Sequence, residues 1–121
     1  MKKILVLDDS LEIRTLLDQF LSLFYEVITF ENGYDALEWL QQGELPNLIL
    51  SDIQMPEMNG EEFVSQLKAS GFFKDIPVIM LSSLTDSSER VKFLKLGATD
   101  YLIKPFNPEE LQIRIDNCLT R

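Results

Sequence analysis

Apolar positions along this chain come in two rhythms. Short, nearly unbroken runs at residues 4–7, 27–30, 48–50, 78–81 and 101–103 have the length and continuity of strands covered on both faces. Between them, apolar residues recur at helical spacing. Ile13, Leu16, Leu17, Phe20, Leu21 and Phe24 follow i, i+3, i+4, i+7, i+8 and predict an amphipathic helix. A shorter pattern through Leu37 and Leu40 stops at Gly43. A third helix is expected to begin near Asn59-Gly60 and to bury Phe63, Val64 and Leu67. Asp86-Ser-Ser-Glu89 has the acid cap and the Glu at the third position that start a fourth helix, running to Gly97. Asn107-Pro-Glu-Glu110 opens the fifth with a capping Asn, a Pro at the first helical position and acids at the positive end of the dipole. Leu111, Ile115, Cys118 and Leu119 supply its buried face. Five strands alternate with five helices, with no repeat and no linker. This predicts one three-layer, doubly wound α/β domain over residues 1–121, built on a parallel sheet.

Length and charge narrow the functional classes. A chain of 121 residues is long enough to bury a real core. Its net charge of −9 argues against nucleic acid binding by this segment, because phosphate contacts need basic surface. No apolar run approaches a membrane span, and the Met1-Lys-Lys start leads straight into a strand with no cleavage site of a signal peptide. A single cysteine, Cys118, leaves no pair for an internal disulfide and fits a cytoplasmic location. The absence of histidine removes imidazole metal sites and histidine acid–base chemistry. Any metal must be a hard cation on oxygen ligands.

In a parallel sheet every carboxyl end lies on one edge, and that edge is where open α/β sheets keep their ligands. The first strand delivers Asp8 and Asp9 there, the third Asp52, the fourth Ser82 and Ser83, and the fifth Lys104. Taken singly, each has an ordinary reading: helix-capping acids, a turn residue, strand-end hydroxyls, a solvated lysine. Together they match one chemistry. Neighbouring carboxylates repel unless a cation neutralises them, and an oxygen-only set suits Mg²⁺, with Mn²⁺ as a substitute. Lys104 and a serine hydroxyl would hold phosphoryl oxygens, and a carboxylate can itself accept a phosphoryl group.

Asp8-Asp9 after the first strand, Asp52 followed by Met55-Pro56 and Asn59-Gly60, the run Pro77-Val-Ile-Met-Leu-Ser82, and Lys104-Pro-Phe106 together resemble the receiver domain of bacterial two-component response regulators, over essentially the whole chain. That resemblance implies a flavodoxin-like strand order 2-1-3-4-5. It implies that Asp52 is the phosphoacceptor, supplied by a sensor histidine kinase or a phosphotransfer protein. Asp9 and Asp52 would ligate Mg²⁺ with the backbone carbonyl of Gln54, Asp8 acting through water. Lys104 would pair with the acyl phosphate, and its bond to Pro105 would be cis. Ser82 would bind a phosphoryl oxygen, with Tyr101 turning inward as Ser82 is drawn to the phosphate. Ser82 stands where Thr is more usual, which keeps the hydroxyl. Gln54 and Leu84 occupy positions that resemble tuners of dephosphorylation. The fourth helix, fifth strand and fifth helix would form the output face; similar receivers homodimerise there through surface ion pairs, and Asp100 and Arg114 stand at matching positions. Such a domain is a switch rather than a turnover enzyme. An aspartate-nucleophile phosphatase would want a second acid where Gln54 stands, and a flavodoxin-like carrier would want a phosphate loop where Asp8-Asp9 stand. A receiver that binds partners without being phosphorylated is the remaining alternative, and the intact acid, hydroxyl and lysine set argues against it.

Overall fold

The computed structural model describes residues 1–83 and 87–120. The strands are β1 (Lys3–Leu7), β2 (Glu26–Phe30), β3 (Leu48–Asp52), β4 (Val78–Ser82) and β5 (Asp100–Ile103). They alternate with α1 (Leu11–Leu21), α2 (Gly33–Gln41), α3 (Gly60–Ala69), α4 (Ser87–Leu96) and α5 (Pro108–Leu119). All strands run parallel in the order β2-β1-β3-β4-β5. The chain is therefore the doubly wound, flavodoxin-like α/β fold.

Two cores flank the sheet, because successive strand side chains point to opposite faces. Ile4, Val6, Leu48, Leu50, Ile79 and Leu81 meet α1 and α5 through Leu17, Leu21, Leu111 and Ile115. Leu5, Leu7, Ile49, Val78 and Met80 meet α2, α3 and α4 through Leu37, Leu40, Phe63, Leu67 and Phe93. Every residue of β3 and β4 is buried, which explains why those strands read as unbroken apolar runs.

Local capping follows the sequence. Asn59 accepts from the Glu62 N–H while Glu62 reaches back to the Asn59 N–H, a full capping box at the start of α3. Asn107 caps α5, with Pro108 in its first turn. The Asp86 cap expected for α4 lies outside the described residues. Two expectations for the first helix are corrected. Leu16 and Phe24 are exposed, not buried. The seated stripe of α1 runs through Leu17 and Leu21, and Leu16 lies about 100° round the helix from Leu17. Phe24 follows the helix end, where the Ser22 N–H closes on the Asp18 carbonyl.

One glycine ties the fold to the carboxyl edge of the sheet. A Cβ on Gly60 would lie 2.5 Å from the Asp52 carbonyl oxygen and 2.8 Å from Ile53 Cα. The Gly60 N–H donates to the Ile53 carbonyl at 2.7 Å. Only a residue without a side chain lets the first turn of α3 press this closely against the end of β3.

Candidate functional site

Register builds the site. Leu7 sits opposite Ser51, Asp52 opposite Leu81, and Ser82 opposite Ile103. One further step along β1 brings Asp8 level with Asp52, and one step past β5 brings Lys104, whose N–H donates to the Ser82 carbonyl at 2.7 Å. The junction of β1 and β3 is also where the winding of the sheet reverses, since β2 lies on one side of β1 and β3 on the other.

The acids are close and mostly withdrawn from water. Carboxylate oxygens of Asp8, Asp9 and Asp52 lie within 4.8 Å of one another. Asp8 is fully buried and Asp52 nearly so, while Asp9 is exposed. Lys104 Nζ reaches Asp8 Oδ2 at 2.6 Å and Asp52 Oδ2 at 3.6 Å. The lysine therefore sits chiefly on Asp8 and stands within ion-pair range of Asp52. Asp52 Oδ1 accepts from the Ile53 N–H at 2.8 Å. Burial is the main reason that the Asp52 carboxyl is pushed up from 3.8 to about 6; Lys104 opposes it, Asp8 adds to it, the Ile53 N–H opposes it, and Asp9 adds again.

Asp8 is held from several sides. Its Oδ1 accepts from the Ser10 N–H at 2.9 Å, and its N–H donates to the Phe30 carbonyl at 3.2 Å. Its carbonyl accepts from Arg14 Nη1 at 2.7 Å. Arg14 escaped the reading from sequence. A signal for it was available: a cation in the opening turns of α1 runs against the helix dipole, and a broken local preference marks a residue with other business.

The structure brings Asp8, Asp9, Asp52, Ser82 and Lys104 to one edge, and the Lys104–Pro105 peptide is cis. Ser82 is buried at the end of β4, and Ser83 beside it is exposed. Gln54 is exposed two residues beyond Asp52. Leu84 lies outside the described residues. Tyr101 is already buried, its ring centroid 6.3 Å from that of Phe93 and 5.8 Å from the Arg90 guanidinium. Asp100 and Arg114 are close to each other rather than to the acid cluster: Arg114 Nη1 donates to both Asp100 oxygens, at 3.0 and 2.8 Å. The donor set at the cluster is entirely hard oxygen, and three carboxylates at this separation could hold a divalent metal ion.

Fold and site together define a flavodoxin-like α/β domain with an acidic, oxygen-only centre at its carboxyl edge. A sequence profile of the response regulator receiver domain matches residues 4–116, and the chain belongs to that family. A probable transcriptional regulator ycf27 of Cyanophora paradoxa is 45% identical over 121 residues, spanning 99% of this chain and 49% of that protein. Hybrid signal transduction histidine kinase D of Dictyostelium discoideum is 37% identical over 117 residues, spanning 97% of this chain and 8% of that protein. Among solved structures, the chemotaxis response regulator CheY4 of Vibrio cholerae superposes with a TM-score of 0.90 at 37% identity, covering 98% of this chain and 99% of that one. A BeF3-activated DrrB receiver domain gives 0.89 at 33%, covering 100% and 99%. The chain spans about half the length of the ycf27 regulators it matches. It is a receiver domain of two-component signalling, a family that works with histidine kinases or phosphotransfer proteins. No helix among the described residues is long and apolar enough to cross a membrane.

Proposed function

We propose that residues 1–121 form one phosphorylation switch, in which Asp52 accepts a phosphoryl group from a phosphohistidine of a sensor kinase or phosphotransfer protein. A carboxylate oxygen of Asp52 bonds to phosphorus as the P–N bond breaks, and the departing imidazole nitrogen keeps the electron pair. With its carboxyl at about 6, Asp52 is mostly ionised at neutral pH and ready to attack. Asp8, Asp9 and Asp52, with the Gln54 carbonyl, would hold Mg²⁺, or Mn²⁺ in its place. When bound, the ion supplies charge neutralisation for the acids and the phosphoryl oxygens. Lys104, 3.6 Å from Asp52, provides the fixed positive charge on the protein's side. Ser82 binds a phosphoryl oxygen, and Tyr101 carries the change to the face made by α4, β5 and α5. There the domain docks a partner or a second copy, with Asp100 and Arg114 on that face. Gln54 and Leu84 set how long the acyl phosphate lasts. On this reading the domain switches state rather than turning over a substrate, and it works in the cytoplasm.

The observation that carries the proposal is a nearly buried Asp52, raised in pKa, with two further acids and one lysine around it. Incubation with Mg²⁺ and acetyl phosphate should yield an alkali- and hydroxylamine-labile phosphoprotein detectable by intact mass, and beryllofluoride should perturb Tyr101 emission. Asp52→Asn should do neither. Wild type and Asp52→Asn behaving alike would leave a partner-binding module that is never phosphorylated.

A further inference from the structure

Among the contacts at the site is one from an arginine side chain outside the set of acids, hydroxyl and lysine. Arg14 Nη1 donates to the Asp8 backbone carbonyl at 2.7 Å in a partly buried setting. That carbonyl belongs to the peptide unit joining Asp8 to Asp9, and the unit is planar and rigid. The Asp8 side chain is fixed independently, by the Ser10 N–H and by Lys104. Asp9 is exposed, so its direction of departure depends on how the peptide before it is oriented. Arg14 itself is anchored in α1, where its N–H closes on the carbonyl of the capping Ser10 at 3.0 Å. The helix thus reaches back and holds the turn it grows from.

We infer that Arg14 is a positioning residue for the metal centre: by clamping the Asp8–Asp9 peptide plane it presents the Asp9 carboxylate to the divalent ion. This role deepens the phosphorylation-switch reading and rests on it. Arginine suits the task because its guanidinium stays charged and has donors in a fixed fork. A plain electrostatic role would act in the opposite direction. A cation next to an acidic cluster opposes the binding of another cation, so removing its charge alone should tighten Mg²⁺ binding. Loss of positioning should weaken it. The sign separates the two.

The test is a calorimetric Mg²⁺ titration of wild type, Asp9→Asn, Arg14→Met and Arg14→Lys, with thermal unfolding in EDTA to compare their metal-free folds. Arg14→Met keeps the apolar stem and removes donors and charge; its Mg²⁺ affinity should fall about tenfold, as when a partner that orients a metal ligand is lost. Arg14→Lys restores a charged donor and should recover at least half of that loss on a logarithmic scale. The Asp9 amide resonance of metal-free Arg14→Met should also shift, which needs no ion at all. Equal or tighter Mg²⁺ binding by Arg14→Met, beside a wild type that binds, overturns the role of Arg14 alone. Should Arg14→Met fail to fold, Arg14→Lys decides: binding and an Asp9 resonance like wild type support the clamp, and a tenfold loss in a folded Arg14→Lys overturns it. A wild type that binds no Mg²⁺, or binds as Asp9→Asn does, overturns the metal-centre reading and the inference with it.

Discussion

Two clusters of carboxylate and cation lie at opposite ends of this molecule's solvent range. At the carboxyl edge, Lys104 bridges the fully buried Asp8 and the nearly buried Asp52. On the flank of β5 and α5, Arg114 grips Asp100 with two hydrogen bonds and stands 3.5 Å from Glu110, all three partly open to water. The bonds themselves are similar in length. Their energetics are not. Water around the second cluster screens the pair and would solvate either partner left behind, so the contact is cheap to make and to exchange. Around Asp8 and Asp52 there is little water, and two acids share one lysine, so one negative charge stays poorly compensated. The Asp52 carboxyl records this by holding its proton up to about 6. A fold retains such a centre only if something else arrives to complete it, whereas the exposed cluster can trade its internal partner for an external one.

Removing the shared lysine should have the largest effect. Lys104→Met leaves the buried Asp8 carboxylate without its ion-pair partner, and breaking one side of a buried pair should lower metal-free stability by about 3 kcal/mol in urea unfolding. The same variant should bind Mg²⁺ more tightly than wild type, since the acids have then lost the lysine that competes directly with the ion. Unchanged stability would mean that the lysine at 2.6 Å from Asp8 is incidental.

Asp52→Asn should act in the opposite direction. The folded state holds the Asp52 proton to about 6 and the unfolded chain only to about 3.8. Between those values the folded state binds more protons, so ionising Asp52 works against the fold. At pH 7, without divalent metal, Asp52→Asn should therefore be more stable than wild type by about 2 kcal/mol, while losing all phosphorylation. The linkage also sets a slope. Wild-type stability should fall as pH rises from about 4 to about 6, and Asp52→Asn should lack that component. Mg²⁺, by neutralising the acids, should favour the ionised Asp52 and so flatten this slope when it is bound. A metal-free wild-type stability that does not change between about pH 4 and about pH 6 would show that Asp52 titrates elsewhere.

How much of this contrast was legible beforehand depends on what each feature rests on. The strand ends were readable because β1, β3 and β4 are covered on both faces, so their apolar runs stop abruptly at Asp8, at Ser51-Asp52 and at Ser82. Parallelism then puts those stops on one edge. Adjacency was not readable from periodicity, and the order that seats β1 beside β3 came with the family resemblance. Side-chain partners were out of reach. A cation early in α1 marks Arg14 as unusual, but that it reaches back to the Asp8 carbonyl, or that Lys104 leans on Asp8, is decided by register and rotamer. Leu16 failed for a related reason: an apolar residue one position off the seated stripe of α1 still satisfies a helical spacing rule while pointing outward. Asp100 and Arg114 were picked out as residues for contact between copies, but the fold of β5 against α5 already closes them on each other.

That internal closure sets the smallest predicted effect. Asp100 holds Arg114 in its charged form chiefly through the side-chain hydrogen bonds, and nearby Glu110 adds to it. Both partners keep access to water, so Arg114→Met should change monomer stability by no more than about 0.5 kcal/mol. The consequence for assembly should be larger than the consequence for folding. If the face of α4, β5 and α5 pairs with a second copy, Arg114 must exchange an internal carboxylate for an external one, and the exchange is nearly neutral within the monomer. Sedimentation of beryllofluoride-treated wild type against Arg114→Met reads this directly: the variant should stay monomeric at concentrations where wild type dimerises. A loss of monomer stability comparable to that of Lys104→Met would instead place Arg114 among the groups that hold the fold, and the distinction between a buried, incomplete centre and an exposed, exchangeable one would collapse.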